Sequence, residues 1–225
     1  MEIKFFGRGA GFFPKYGNNS AYITSGDELY LIDCGGYTFE KLVEWSELDK
    51  FKKIYCLITH LHADHTGGLG TFVIYCDLVL KVKAVIVHPV PTIKQLLSLH
   101  GLAEDAYDYQ PSLPIESSVK ATAVPVQHVD VMECFGYTFE TGDQYVYYSG
   151  DANTISPQII ADLENGKISR IYQDTSMYVT QAHCYYKDLE KLIAPEFRDK
   201  VYCMHLDHDN AERELEQLGF NVVAI

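Results

Sequence analysis

Four metal-ligand side chains crowd into six residues of this 225-residue chain: His60, His62, Asp64 and His65, in the run Leu57-Ile58-Thr59-His60-Leu61-His62-Ala63-Asp64-His65-Thr66-Gly67-Gly68. Apolar residues precede them and two glycines follow, the pattern of a buried strand opening into a tight loop. In extended backbone His60 and His62 project to the same side. Asp64 and His65 come where the chain turns and reach a second point nearby. Neutral imidazole nitrogens and a carboxylate are ligands that Zn²⁺ accepts, and Mn²⁺ or Fe²⁺ tolerates the same set. The bland alternative is a polar loop with incidental histidines. Four ligand types at this density after an apolar strand argue against it.

Four residues leave two metals under-coordinated, so more ligands must come from elsewhere. Three later positions fit: His128 after Val124-Pro125-Val126-Gln127, Asp151 after Tyr147-Tyr148-Ser149-Gly150, and His205 after Val201-Tyr202-Cys203-Met204. Each has an apolar strand delivering one polar side chain at its end, where α/β sites collect. Each also has a plainer reading, as a satisfied strand histidine, a helix-cap aspartate, or second best to His208. His205 is preferred over His208 because it ends the strand directly. His88 and His100 lie outside any ligand spacing and read as structural or surface residues.

Taken in order, His60-x-His62-x-Asp64-His65, His128, Asp151 and His205 resemble the metallo-β-lactamase fold superfamily. Leu31-Ile32-Asp33-Cys34-Gly35-Gly36 is similar to the superfamily's first motif, an Asp with Gly that buttresses the metal loop. The resemblance runs over roughly residues 3–210 and implies an α/β (α+β) chain folded as a four-layer αββα sandwich, one domain over 1–225, with its site at one edge of two sheets. It further implies that His60, His62 and His128 hold one metal, that Asp64, His65 and His205 hold the other, and that Asp151 bridges them. Asp33 would orient the ligand loops.

A two-metal site activates water and clamps a developing oxyanion, so the implied class is hydrolysis. Three features narrow it. His62 stands where oxygen-reducing di-iron members of the superfamily carry Glu, which disfavours redox chemistry. Ile171-Tyr172-Gln173-Asp174-Thr175-Ser176 followed by His183 resembles the phosphodiesterase branch, which includes tRNA 3′-processing ribonucleases and cyclic-phosphate phosphodiesterases. There His183 would protonate the leaving alkoxide with Asp174 orienting it, beside Asp64 and its neighbours at the metals; the plain reading is an exposed histidine. Gly7-Arg8-Gly9-Ala10-Gly11 resembles that branch's opening loop. Pro14 follows and no helix opens, which argues against a Rossmann cradle. Arg8 is offered either as a phosphate contact or as a surface residue. Only 22 residues lie between His128 and Asp151, so the long basic arm of the tRNA-processing enzymes is missing. The expected substrate is therefore a small cyclic nucleotide, cyclic phosphate or short phosphodiester. A glyoxalase II-type thioester or lactone hydrolase shares the ligands without needing His183, and a non-catalytic metal-binding or sensing module is the reading from another class.

The elements that must position these groups are short β-like runs in both halves, at residues 2–6, 21–24, 29–33 and 54–58, then 119–124, 137–141, 144–149, 168–173 and 200–205. Helices are expected at about 39–48, 91–99, 157–165, 186–193 and 211–218. The tetrapeptide Tyr-Thr-Phe-Glu occurs twice, opening an amphipathic segment at 37–40 and reading as a strand at 137–140. Segment 70–118 is the variable region; its Tyr107-Asp108-Tyr109 is expected to cover the site or meet a second subunit. With 47% apolar and 22% charged residues the chain is an ordinary globular one. Its formal charge of −13 argues against a long nucleic acid as partner, because each phosphate contact wants a Lys or Arg. Six scattered Cys without a CxxC suggest free thiols in a reducing compartment. The polar N-terminus does not read as a signal peptide, and no run of about 18 apolar residues could span a bilayer. The expectation is a soluble cytoplasmic enzyme with a small anionic substrate, two divalent metals and, from the resemblance, a homodimeric state.

Overall fold

The computed structural model describes residues 2–225. They fall into two compact units that interleave in sequence. The first comprises Gly17–Lys120 with the chain up to Gly7 and Ile225; the second comprises Arg8–Tyr16 and Ala121–Ala224.

Each unit is built on a six-stranded mixed sheet, and both follow one plan. In the first, β1 (Lys4–Gly7), β2 (Ser20–Ser25) and β3 (Glu28–Ile32) form an antiparallel meander. Then β4 (Lys53–Leu57), β5 (Ala84–Val87) and β6 (Tyr107–Gln110) add on in parallel. The crossovers carry α1 (Gly36–Glu44), α2 (Ala63–Thr66), α3 (Leu69–Tyr75) and α4 (Thr92–Leu99). In the second unit β7 (Ala121–Val126), β8 (Cys134–Thr141) and β9 (Gln144–Tyr148) form the meander. Parallel strands β10 (Ile168–Asp174), β11 (Val201–Met204) and β12 (Asn221–Val222) follow. Their crossovers carry α5 (Pro157–Glu164), α6 (Tyr186–Leu192) and α7 (Ala211–Gln217).

The plan follows from the burial pattern. β3 is buried at every position because it is interior to its sheet, with Leu29 and Leu31 on one face and Glu28, Tyr30 and Ile32 on the other. Alternate residues Leu29 and Leu31, with Ile54 and Cys56 of β4, pack under Leu42, Phe72, Val73, Ile93 and Leu97 from the helices. In the second unit Ile171, Val201 and Cys203 lie under Ile159, Leu163, Leu189 and Leu215. Each such side chain contributes roughly 1.5–3 kcal/mol by leaving water. Helix α5 starts where the sequence punctuates it: the Ser156 hydroxyl accepts from the Ile159 N–H and Pro157 takes the first turn.

The direction of the strands matters most for the site. Counting through the pairings, β7, β9, β10 and β11 point the same way, so His128, Asp151, Asp174 and His205 emerge at one edge. In the first unit β3, β4 and β5 likewise deliver Asp33, Thr59-His60 and His88 at one edge. These are the carboxyl ends of strands, where α/β folds place ligands.

Segment 70–118 builds the outer part of the first sheet, up to its edge. It contributes α3, a single π-helical turn (Cys76–Leu80), β5, α4 and β6. Tyr107-Asp108-Tyr109 is part of edge strand β6, registered against β5, with Tyr107 in the core. Parallel addition to a neighbour satisfies its backbone, which is why it is a strand.

A buried carboxylate closes the first unit. Glu28 accepts hydrogen bonds from the Tyr30 hydroxyl, from Lys53 Nζ at 2.8 Å and from the Ser118 N–H at 2.9 Å. Tyr30 in turn accepts from the Val119 N–H. Burial alone would raise the Glu28 pKa, but the donors outweigh it and hold it at about 2. A depressed carboxyl stabilises the fold above its unfolded pKa, and that stabilisation is lost as pH falls from about 4.5 towards 2. Half of Lys53 is exposed, so screening reduces the contribution to about 2 kcal/mol. The Glu28→Gln variant is expected to melt lower at pH 7 and to lose less stability than the wild type between pH 5 and pH 3. Thermal denaturation across that range checks this; a variant with the wild-type acid slope refutes it.

Candidate metal centre

The first unit's site begins with a strained residue. After β3, Asp33 takes a left-handed backbone with φ +62°, which costs a non-glycine residue roughly 1–2 kcal/mol. The strain aims its carboxylate across the ends of two strands. Oδ1 accepts from the Thr59 N–H at 2.8 Å, and Oδ2 accepts from the Thr59 hydroxyl and from His65 Nδ1, each at 2.8 Å. Gly35 lets the loops close: a Cβ there would sit 2.1 Å from the Asp64 carbonyl oxygen.

That network assigns the tautomers. His65 gives its Nδ1 hydrogen to Asp33, so Nε2 carries the lone pair, 3.4 Å from Asp64 Oδ2. The Thr59 hydroxyl donates to Asp33, so its oxygen accepts from His60 Nδ1 at 3.1 Å. This leaves His60 Nε2, 2.9 Å from His62 Nδ1. Two ligand atoms on one tetrahedral zinc lie about 3.3 Å apart, from Zn–N distances of roughly 2.0–2.1 Å. Both pairs therefore have the spacing and donor chemistry of a shared divalent cation. Removing the orienting carboxylate, as in Asp33→Ala, is expected to weaken metal binding about 10–100-fold. Competition with a chromogenic chelator measures it; wild-type affinity in a folded variant contradicts it.

In the second unit Asp151 is the hub. Gly150, in the left-handed region at φ +60°, turns the chain so that Asp151 faces its neighbours. Its Oδ2 lies 3.3 Å from His205 Nε2 and 3.8 Å from His128 Nε2, the place of a ligand shared between two histidines. His128 is fixed in the metal-binding tautomer because its Nδ1 donates to the Ala182 carbonyl at 2.8 Å. His205, like Asp33, is left-handed at φ +58°.

His183 and Asp174, which the sequence paired, are brought together. His183 Nδ1 donates to Asp174 Oδ2 at 2.7 Å, and the Ala152 N–H donates to the same oxygen at 3.0 Å. The His183 ring stacks on His205 with centroids 4.8 Å apart, and its Nδ1 is 3.9 Å from Asp151 Oδ2. Burial works to lower the His183 pKa, but the charge and hydrogen bond of Asp174 outweigh it, so it is raised above its ordinary value. Donor atoms of Asp151, Asp174, His183 and His205 all lie within 4.8 Å of one another. Nδ1 points at Asp174, so the nitrogen left to meet a substrate is Nε2.

Other candidates go elsewhere. The Arg8 guanidinium is spent inside the second unit: it pairs with Glu212 at 2.7 Å, donates to the Val223 carbonyl at 2.6 Å and lies over Tyr16. His208 accepts from the Asn210 N–H and sits edge-on to Tyr178, away from the His205 cluster of donors. His88 is buried with Nδ1 donating to the Ile58 carbonyl, and the His100 ring packs near Gly70. Thr59 locks the His60 tautomer, and its only signal in the sequence is a hydroxyl placed between the strand and the first ligand. Among the described residues no helix is long and apolar enough to cross a membrane.

Two mixed sheets flanked by helices, with histidines and aspartates gathered at the strand ends, define a metallo-β-lactamase fold protein. The fold matches the metallo-β-lactamase fold protein YhfI of Bacillus subtilis with a TM-score of 0.74 at 18% identity, over 98% of this chain and 94% of that one. It matches a diphosphatase of the PhnP family with a TM-score of 0.72 at 18% identity, over 98% and 94%. Human tRNase Z, short form, follows at 0.68 and 17%, over 100% and 96%. Within that fold the chain belongs to the Anti-Pycsar protein Apyc1 family, whose description matches residues 1–224. The protein so named in Bacillus phage 010DV004 is 27% identical, over 97% of this chain and 93% of its own length. Its counterpart in Saccharibacillus brassicae is 26% identical, over 97% and 95%.

Proposed function

We propose that the chain is a metal-dependent phosphodiesterase that opens a small cyclic nucleotide, or cleaves a similarly short phosphodiester, at a dinuclear centre. His60, His62 and His128 would hold one divalent ion, Asp64, His65 and His205 the other, with Asp151 shared. The His/Asp donor set favours zinc. The observation that carries the phosphodiester reading is the His183–Asp174 pair, 2.7 Å apart and next to Asp151 and His205. Divalent ions bound there would supply Lewis-acid stabilisation of the phosphoryl oxygens and acidify water.

The chain's own residues supply the rest. Water adds to phosphorus and releases one proton, the bond from phosphorus to the ring alkoxide breaks, and His183 gives its Nε2 proton to that departing oxygen and is reprotonated before the next turnover. The product is a phosphomonoester with a free hydroxyl. Asp174 holds the imidazole in place and favours its protonated form before transfer. An alkoxide is a poor leaving group, so this reaction needs such an acid; a thiolate does not. The formal charge of −13 disfavours long nucleic acids and suits a small anion drawn in locally. All six cysteines are buried thiols, which supports a reducing, cytoplasmic setting. The resemblance adds a homodimer.

A panel of cyclic nucleotides, bis-p-nitrophenyl phosphate, thioesters and lactones tests the reading on metal-loaded protein. Turnover of the phosphodiesters above the others is expected. Preference for a thioester or lactone would instead assign a glyoxalase II-type hydrolase, and turnover of none would assign a binding module.

A further inference from the structure

The segment that carries His183 leaves β10 at Asp174 and returns at Cys184, closed at its base by Ser176 N–H to the Cys184 carbonyl and Tyr186 N–H to the Ser176 carbonyl. Between these points it is an exposed excursion whose tip, Tyr178-Val179-Thr180-Gln181, lies largely in solvent. A general acid on such a loop must be held still, because misplacement by about 1 Å can cost roughly a hundredfold in rate.

Three side chains hold it, and each comes from a segment that delivers a candidate ligand. Asp207, two residues after His205, accepts from the Met177 N–H at 2.9 Å and from the Ser176 hydroxyl at 2.5 Å. Asn153, two residues after Asp151, donates to the Gln181 carbonyl at 2.9 Å, and its own N–H is tied to the Gln127 carbonyl beside His128. His128 itself donates to the Ala182 carbonyl. The loop thus carries one fastening at its root, one near its tip and one directly before His183.

We propose that Asp207 and Asn153 are positioning residues that lock the His183 loop to the ligand-bearing strand ends, so that the acid keeps its place against the scissile bond. Neither touches the substrate. Asp207 fixes the root through two hydrogen bonds whose loss strands the Met177 N–H; Asn153 fixes the far side. The proposal rests on His183 acting as the acid, and its test separates the two claims.

The readout is the ratio of turnover on a 3′,5′-cyclic nucleotide, whose alkoxide needs a proton, to turnover on bis-p-nitrophenyl phosphate, whose p-nitrophenolate leaves readily. Metal content and melting temperature are measured alongside in metal-loaded full-length protein. In Asp207→Ala and in Asn153→Ala the ratio is expected to fall about tenfold or more through kcat, with little change in KM. Asp207→Asn keeps an acceptor for the Met177 N–H and is expected to recover part of the loss. If both alanine variants lower the two substrates equally, or lose metal in proportion to activity, the residues are merely structural and the proposal fails. His183→Ala is the control. If it lowers the ratio while the other variants do not, the strap is wrong and the acid stands. If it leaves the ratio unmoved, the acid reading itself falls, and the strap with it. Should Asp207→Ala fail to fold, Asn153→Ala and Asp207→Asn still give the answer.

Discussion

Phosphodiester turnover in an Asp151→Ala variant is expected to fall by roughly a thousandfold or more, the equivalent of about 4 kcal/mol of transition-state stabilisation. The size of the effect follows from the position of one atom. Asp151 Oδ2 sits 3.3 Å from His205 Nε2 and 3.8 Å from His128 Nε2, and it also faces His183. Removing it takes a negative charge from among three imidazoles, so the remaining donors lose their common partner and metal affinity falls with rate. Asp151→Asn keeps the shape and one oxygen but not the charge, and should be only slightly better. Steady-state kinetics with metal analysis checks both; a folded Asp151→Ala protein within tenfold of wild type would contradict the assignment.

The second large effect is expected at His183. Replacing it by alanine should lower kcat on a cyclic nucleotide by about 100–1,000-fold, within the range that general acid catalysis supplies. Metal content should be retained, because the reading places no ligand there. The effect should shrink for a diester with a good leaving group and nearly vanish for a thioester. Asp174→Asn should give a smaller version, because the imidazole keeps a hydrogen-bond acceptor but loses the charge that raises its pKa. Loss of metal in His183→Ala, in step with activity, would make His183 a ligand instead, one of the three donors that gather with Asp151.

Much of this site was legible because it uses a period and a punctuation mark. His60 and His62 alternate at the end of an apolar strand, and Asp64-His65 follow at the turn, so spacing alone places them. His128, Asp151 and His205 each follow a strand that is apolar for internal reasons, and strand direction brings them to one edge. What was not legible depends on pairing between distant residues. Tyr-Thr-Phe-Glu is helical in α1 and extended in β8, so four residues do not decide their own conformation; the neighbours that bury them do. Likewise Tyr107-Asp108-Tyr109 becomes a strand only because β5 offers an edge beside it.

The same limit applies to charged side chains. Arg8, in a glycine-rich opening loop, is attractive as a phosphate contact, yet its guanidinium is held by Glu212 and the Val223 carbonyl, more than 200 residues away in sequence. Glu28 resembles any polar residue at a strand start, but three donors from separate segments converge on it. Asp207 lies between His205 and His208 with no motif of its own, and its value lies in the backbone of a loop some 30 residues earlier.

The most direct test of the central reading is the dependence of cyclic-nucleotide hydrolysis on metal occupancy. Protein stripped by chelation is titrated with zinc, and ring opening to the nucleoside monophosphate is followed together with bound metal per chain. The expected result is negligible turnover without metal and a rise that saturates at about two ions per chain. Full activity in the stripped protein, or no ring opening in folded protein carrying two ions, would contradict it.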